Sequence, residues 1–510
     1  MQNTAEIQKN TDTPSSAGDN TSLRAVATRA FGFFGISEVV SKIVSLGSGV
    51  VLARLLSPKD YGVVAAAGLL VEFSGLFNNV GIGAAVVQRR DRVKEAMHTG
   101  FVIQVTLALI LVAFVFLISP LWAAFYRRPE VGPVVRVLAF GMLFNALVFA
   151  PSTMLSRELK FGLMCIPEIG ASLAYGAAAI PLALMGASHW SLVGGIIASN
   201  LVSLVLWYRV SSYRPRLQFD RKLARELWDY GKHVLATGVL GYFVIHIDDL
   251  AVGRMLGMAA LGYYAFAYRW GNWAATDLVR LVNRITFPAY AKIQDDLQRV
   301  RNAYFNSLQC VGIFVVPISF GLFAIAPDFV GIVFGKKWMP AVLPLQLLVF
   351  FGLARSIGSI GGSVRQGIGR PDITARLTAL QFVLSAGLMV PMIQLWGLLG
   401  AVMSVLLPAL LTNFLGLVAN QKLFGAELWQ VGRVLFWPTV SSVLMTSAVR
   451  LASPLLVEAG LPGIVRLGAL IALGIAVYFG IMVVMARREL NLVVSSVRVA
   501  LRPQGSASSA

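Results

Sequence analysis

Residues 101–118 read FVIQVTLALILVAFVFLI, eighteen positions without a charge. Such a run approaches the about 20 apolar residues that cross about 30 Å of hydrocarbon. The rest of the chain has the same character. Of its 510 residues 57% are hydrophobic and 13% charged, and the mean hydropathy is +0.73. A soluble chain of this length would carry about a quarter charged residues. The composition therefore predicts an all-α polytopic membrane protein.

Hydropathy, Pro and Gly breaks and charged clusters divide the chain into about fourteen transmembrane spans. They fall near 31–53, 61–86, 97–119, 133–155, 164–186, 190–209, 231–256, 260–285, 303–325, 339–364, 371–394, 397–421, 432–450 and 464–486. With the N-terminus inside, 29 of the 43 Lys and Arg lie on the cytoplasmic side and ten on the other. The remaining four, Lys42, Arg269, Arg280 and Arg355, fall within spans. This bias puts both termini in the cytoplasm, and it accounts for most of the +19 net charge without nucleic acid as a partner. Residues 1–30 read as a disordered cytoplasmic tail with no signal-peptide pattern. Cys165 and Cys310 are isolated in sequence and define no disulfide framework or metal site.

Sliding the chain by 200 residues lays RLLSPKDYGVVAAA (54–67) over RMLGMAALGYYAFA (254–267) without a gap. Arg54 meets Arg254, Leu56 meets Leu256 and Gly62 meets Gly262. Both copies join two spans, and six spans separate them, so the repeats are parallel, as in several transporters. The expected organisation is a lobe at 31–210 (spans 1–6), a cytoplasmic linker at 211–230 and a second lobe at 231–425 (spans 7–12). Spans 13–14 follow at 426–486, and a cytoplasmic tail at 487–510.

The stretches VLARLLSPKDYGVVA (51–65), NVGIGAAVVQRRD (79–91) and DDLAVGRMLGMAALGYYAFAYR (248–269) resemble signatures of bacterial polysaccharide flippases. The chain resembles the Wzx-like polysaccharide and lipopolysaccharide transporters of the multidrug/oligosaccharidyl-lipid/polysaccharide exporter superfamily. That resemblance implies two six-helix lobes around a central cavity in the bacterial inner membrane. It also implies an undecaprenyl-pyrophosphate-linked oligosaccharide as cargo, moved by alternating access for exopolysaccharide or lipopolysaccharide export. A polysaccharide polymerase and a chain-length regulator stand as open partners, and coupling to a proton or sodium gradient as an open energy source. No organic cofactor is expected.

Ionisable groups inside the membrane are functional candidates because each is costly unless paired or wet. On span 8, Arg269, Asn272, Thr276, Asp277, Arg280, Asn283 and Arg284 fall within about 140° of arc. This face either lines a water-filled cavity or packs in a polar seam. On span 10, Arg355, Ser359, Gly362, Ser363 and Gln366 share a face. Lys42 on span 1 has two rival partners, Glu38 at i−4 and Glu72 on the next span. Arginines suit a pyrophosphate, which they bind in a bidentate way. Tyr263, Tyr264, Tyr268, Trp270 and Trp273 offer aromatic partners to a glycan, although aromatics near membrane interfaces are common for other reasons.

There is no HExxH metal spacing and no Walker A motif. The glycine-rich GSIGGSVRQGIG (358–369) sits on a span, where close helix packing or a hinge explains it better than a phosphate cradle. The chain is expected not to be an enzyme. A polysaccharide polymerase or ligase would need a large extracytoplasmic loop, and the longest here have about a dozen residues. The remaining alternative is a cation-coupled multidrug antiporter, whose cargo would favour an acidic cavity. Finally, YFVIHIDDLAVGRML (242–256) sets Asp248, Asp249 and His246 in the outer third of the membrane. The expectation is an outer latch, closed when the cavity faces the cytoplasm, in which Asp248 or Asp249 bridges to Arg54 or Arg254, with His246 making it protonation-sensitive.

Overall fold

The computed structural model describes residues 40–78, 82–83, 86, 91–158 and 160–487. The side chains of 161, 227–234, 236, 237, 240, 274–278, 280, 281, 284, 285 and 288 lie outside that description. Fourteen long helices fill the described residues, with no strand among them. They are α1 (40–55), α2 (Pro58–Asn78), α3 (Val93–Tyr126), α4 (Val131–Arg157), α5 (Phe161–Leu184), α6 (His189–Val210) and α7 (Arg221–Leu256). The second half of the chain carries α8 (Met258–Lys292), α9 (Leu297–Phe329), α10 (Val342–Gly367), α11 (Pro371–Trp396), α12 (Leu398–Phe424), α13 (Leu428–Glu458) and α14 (Gly463–Met485). Among the described residues eleven helices are long and apolar enough to cross a membrane. The other three are α1, whose described part begins at 40, and α7 and α8, which carry the intramembrane polar groups. The chain is an all-α polytopic membrane protein.

One boundary differs from expectation. The linker is extended only over 211–220, and its second half is helical and continuous with span 7. Asp220 explains this, because its Oδ1 accepts from the backbone N–H of Lys222 (2.8 Å) and Leu223 (3.2 Å). A carboxylate in that place satisfies orphan donors and starts a helix. RKLARELWDY (221–230) then holds no Gly or Pro to stop it.

The chain packs as two compact units. The first comprises 1–49, 74–117 and 136–237. Its core gathers Ile82, Val86, Met97, Phe101 and Ala150. The extended linker is tied down beside it: His98 Nδ1 accepts from the Arg216 backbone N–H (2.9 Å) and lies 3.0 Å from the Tyr213 hydroxyl. Arg92 pairs with Asp220 at 2.6 Å.

The second unit comprises 50–73, 118–135 and 238–510. Here the two repeat copies meet. A Cβ built on Gly62 would lie 1.7 Å from the carbonyl oxygen of Met258, and one built on Gly262 would lie 1.9 Å from that of Pro58. The two contacts are the same contact under the 200-residue offset. Only glycine lets the backbones cross this closely. Beside the crossing, a π-turn (Val330–Phe334) and a 3-10 turn (Lys336–Ala341) grip the 53–56 segment. Trp338, fully buried, donates its Nε1–H to the Ala53 carbonyl (2.9 Å), and Lys337 donates to the carbonyls of Arg54 (2.8 Å) and Leu56 (2.5 Å). Trp122 Nε1–H reaches the Ala66 carbonyl (2.9 Å), and Gly253 gives Tyr126 room to approach α7.

Candidate functional site: a cavity with an amide and hydroxyl wall in the second unit

Within the second unit, α7, α8, α10, α11 and α12 enclose a cavity of about 550 Å³. Arg355, Ser359, Ser363 and Gln366 enter from α10, as their shared helical face predicts, and Tyr268 and Asn283 from α8. Thr374, Thr378 and Gln381 face it from α11, and Thr412, Asn413 and Asn420 from α12. The polar part of its described lining is amide, hydroxyl and guanidinium, with no carboxylate, and apolar residues such as Val244, Phe351, Leu377 and Leu417 make up the rest. Asn283 donates to the Ser359 hydroxyl (2.5 Å), and Arg355 donates to the Tyr268 hydroxyl (3.3 Å) while its side chain stays exposed.

The glycines of 358–369 build this wall. A Cβ on Gly358 would fall 1.8 Å from Asn413 Oδ1, and one on Gly361 would fall 2.5 Å from Asn420 Nδ2. Each glycine thus admits one amide of α12 against α10. This supports close helix packing as the purpose of the glycine-rich run.

Arg365 is the residue that sequence reasoning missed. It lies just beyond span 10 by hydropathy, where an arginine is expected to be solvated, yet it is only 4% exposed. Its Nε–H donates to Thr374 Oγ1 (3.1 Å) and its Nη1 to Asn420 Oδ1 (2.7 Å) and the Gly416 carbonyl (3.3 Å). The guanidinium thus ties α10 to α11 and α12 through neutral acceptors. A signal was available in α12, where Thr412, Asn413, Gly416 and Asn420 recur on one face of an otherwise apolar helix.

The carboxylates of 242–256 have other partners than those expected. Asp248, buried, accepts from the Tyr264 hydroxyl (2.5 Å) and from the backbone N–H of Asp249 (3.0 Å). Asp249 Oδ2 lies 3.2 Å from His246 Nδ1, and Glu72 lies 3.4 Å from His246 Nε2. Neither aspartate pairs with Arg54 or Arg254 in this conformation. Arg54 donates instead to the carbonyls of Ile332 and Val333, the latter at 2.7 Å, and Arg254 lies over the Phe125 ring at 5.8 Å. Backbone carbonyls at the end of the π-turn satisfy Arg54 without a buried carboxylate. His246 thus stands between Glu72 and Asp249, with Asp248 next to them on the Tyr264 hydroxyl.

Of the remaining candidates, Arg269 is exposed and does not line the cavity, while Asn272 is buried and donates to the Tyr268 carbonyl (3.1 Å). Lys42 is half-buried in the first unit. The side chains of Thr276, Asp277, Arg280 and Arg284 lie outside the described residues, as does Glu38. Among the aromatics, Tyr268 lines the cavity, Tyr264 serves Asp248, and Tyr263 and Trp270 pack with Trp338 and Phe334 respectively.

The sequence model of the family described as "Polysaccharide biosynthesis protein" matches residues 51–343, more than half of the chain. The chain belongs to that family. Both repeat copies and the His246 cluster fall inside the match. The chain is 27% identical over 400 residues to the lipopolysaccharide biosynthesis protein WzxC of Escherichia coli, covering 75% of this chain and 78% of that one. It is 24% identical over 359 residues to the probable low-salt glycan biosynthesis flippase Agl15 of Haloferax volcanii, covering 68% and 71%. In fold it is similar to the lipid II flippase MurJ in an inward closed conformation, with a TM-score of 0.70 at 14% identity over 90% of this chain and 99% of that one.

Proposed function

We propose that the protein flips a polyprenyl-pyrophosphate-linked oligosaccharide across the bacterial inner membrane for exopolysaccharide or lipopolysaccharide export. The observation that carries this reading is the cavity: an amide- and hydroxyl-rich pocket with arginines and no described carboxylate, in a member of a polysaccharide biosynthesis family. A glycan needs hydroxyl and amide partners, and a pyrophosphate needs a fixed cation before it leaves water. Arg355, exposed to the cavity and bonded only to a tyrosine hydroxyl, is the cation for the pyrophosphate. Asn283, Ser359 and Gln366 offer hydrogen bonds to the sugars. An antiporter of organic cations would need an acidic lining, which the described lining of this cavity does not provide.

The lysine and arginine bias puts both termini in the cytoplasm. Movement proceeds by alternating access. The cluster of His246, Glu72 and Asp249 is suited to accept and release a proton during the cycle, which would couple transport to the proton gradient. A polymerase and a chain-length regulator would act on the delivered units.

The test is deletion followed by lipid analysis. Undecaprenyl-linked repeat units should accumulate on the cytoplasmic face and clear on complementation. If they do not accumulate, the flippase reading fails.

A further inference from the structure

Arg365 poses a problem that helix packing does not solve. A guanidinium carries five N–H donors. Three are used, on Thr374, Asn420 and Gly416. Both donors of Nη2 remain, and the residue lines the cavity. The three acceptors are neutral, so they hold the group in place without cancelling its charge. No carboxylate lies in the described lining, and a buried charge without a counter-ion is among the costlier features a membrane protein can keep. A tie between three helices could be made with neutral side chains. The charge itself calls for an anion arriving from the cavity.

That anion is not the pyrophosphate assigned to Arg355. The Arg365 guanidinium reaches back one turn: Cβ atoms built on Gly361 and Gly362 would lie 3.2 Å from its Nη1 and 3.9 Å from its Nη2. This level is still about 10 Å along α10 from Arg355. With the pyrophosphate held at Arg355 beside the Tyr268 hydroxyl, Arg365 is left for a second anion. Between the two cations the wall presents Ser359, Ser363, Asn413 and Thr412, which are partners for sugar hydroxyls.

We infer that Arg365 is a specificity site for an acidic sugar: its Nη2 receives the carboxylate of a residue in the glycan while Arg355 holds the pyrophosphate. The cargo class is thereby narrowed to anionic repeat units. This inference rests on the flippase reading and deepens it.

The test uses the full-length protein in proteoliposomes and two polyprenyl-pyrophosphate oligosaccharides, identical except that one sugar is glucuronate in the first and glucose in the second. Wild type should move the acidic cargo about ten-fold faster, the yield of one hydrogen-bonding contact to a charged group. Arg365→Gln should erase that preference while still moving the neutral cargo. Because Arg365 also ties helices, a second variant leaves it in place. Gly362→Asp puts a carboxylate beside Nη2, at a position with room for a Cβ, and should erase the preference equally. Gly362→Asn, of the same size but uncharged, should retain part of it. If wild type moves both cargoes equally, or Arg365→Gln slows both alike, the acidic-sugar assignment is overturned. If wild type moves neither, it is the flippase reading that fails.

Discussion

Gly62→Ala should part the two repeats of this protein, and the structure sets the size of the effect. The added Cβ would lie 1.7 Å from the Met258 carbonyl oxygen and 2.6 Å from its carbonyl carbon. Ordinary contact begins near 3.4 Å, so the backbones must separate by roughly 1.5 Å. No flexible side chain can yield, because both clashing atoms are main chain. Overpacking of this kind costs about 3 kcal/mol, and alanine returns up to about 1 kcal/mol through its better helix propensity. The net of about 2 kcal/mol corresponds to a roughly 30-fold loss of the crossed arrangement. Gly262→Ala should do the same, since its Cβ would meet the Pro58 carbonyl at 1.9 Å. The double variant should cost less than the sum, because a crossing already forced apart has room for the second methyl. The assay is the electron–electron distance between spin labels at exposed positions 59 and 259 in a background lacking Cys165 and Cys310. Wild type should give one short distance, and each variant should transfer population to a longer one. An unchanged distribution together with an unchanged melting temperature would refute the close crossing, and strictly additive effects would refute its reciprocity.

Two further outcomes follow from pairs elsewhere in the structure. Asp328 on α9 pairs with Arg466 of α14 at 2.8 Å, with both side chains under one fifth exposed, and accepts from the Ser453 hydroxyl at 2.9 Å. Arg466→Leu leaves the carboxylate buried and should destabilise the fold by about 3 kcal/mol, whereas replacing both partners by apolar residues should restore most of it; thermal unfolding in detergent checks this. In the first unit, Arg92 beside Asp220 holds that carboxyl below the usual carboxylate range, through a side-chain hydrogen bond first and the backbone donors of the helix start next. The contribution is present above the ordinary aspartate pKa and is lost as pH falls through the depressed value. Protection from hydrogen exchange over 211–220, taken relative to the intrinsic rate at each pH, should therefore fall on acidification, and in Arg92→Gln the fall should begin at higher pH; a fall at the same pH in both would remove the role of the pair.

Much of the architecture was legible because hydrocarbon imposes a length and a composition on each span. Eleven of the fourteen helices meet that constraint outright, and Pro, Gly and charged breaks marked the rest. The 200-residue offset was visible too, and the reciprocal contacts of Gly62 and Gly262 show why those positions carried the signal. The shared face of Arg355, Ser359 and Gln366 was readable from helical periodicity. What escaped depends on where a long side chain ends. Arg365 sits at the C-terminal end of α10, where a charge count treats any arginine as solvated, yet its head folds back into the protein. Arg54 looked like the natural partner of an aspartate, but the π-turn offered it carbonyls, which no pattern of side chains announces. Asp248 found a tyrosine sixteen residues later in chain, across a helix junction where periodicity gives no relative orientation.

The glycine crossing is made entirely between main-chain atoms, and this constrains divergence in an uneven way. The atoms that Gly62 and Gly262 approach are carbonyls, present whatever residue stands at 258 or 58. Those two positions could drift apart, and they have, one being methionine and the other proline. The glycines had no such latitude. A duplicated transporter can therefore lose nearly all likeness between its halves and keep its internal symmetry, as long as each half retains the one residue that has no side chain.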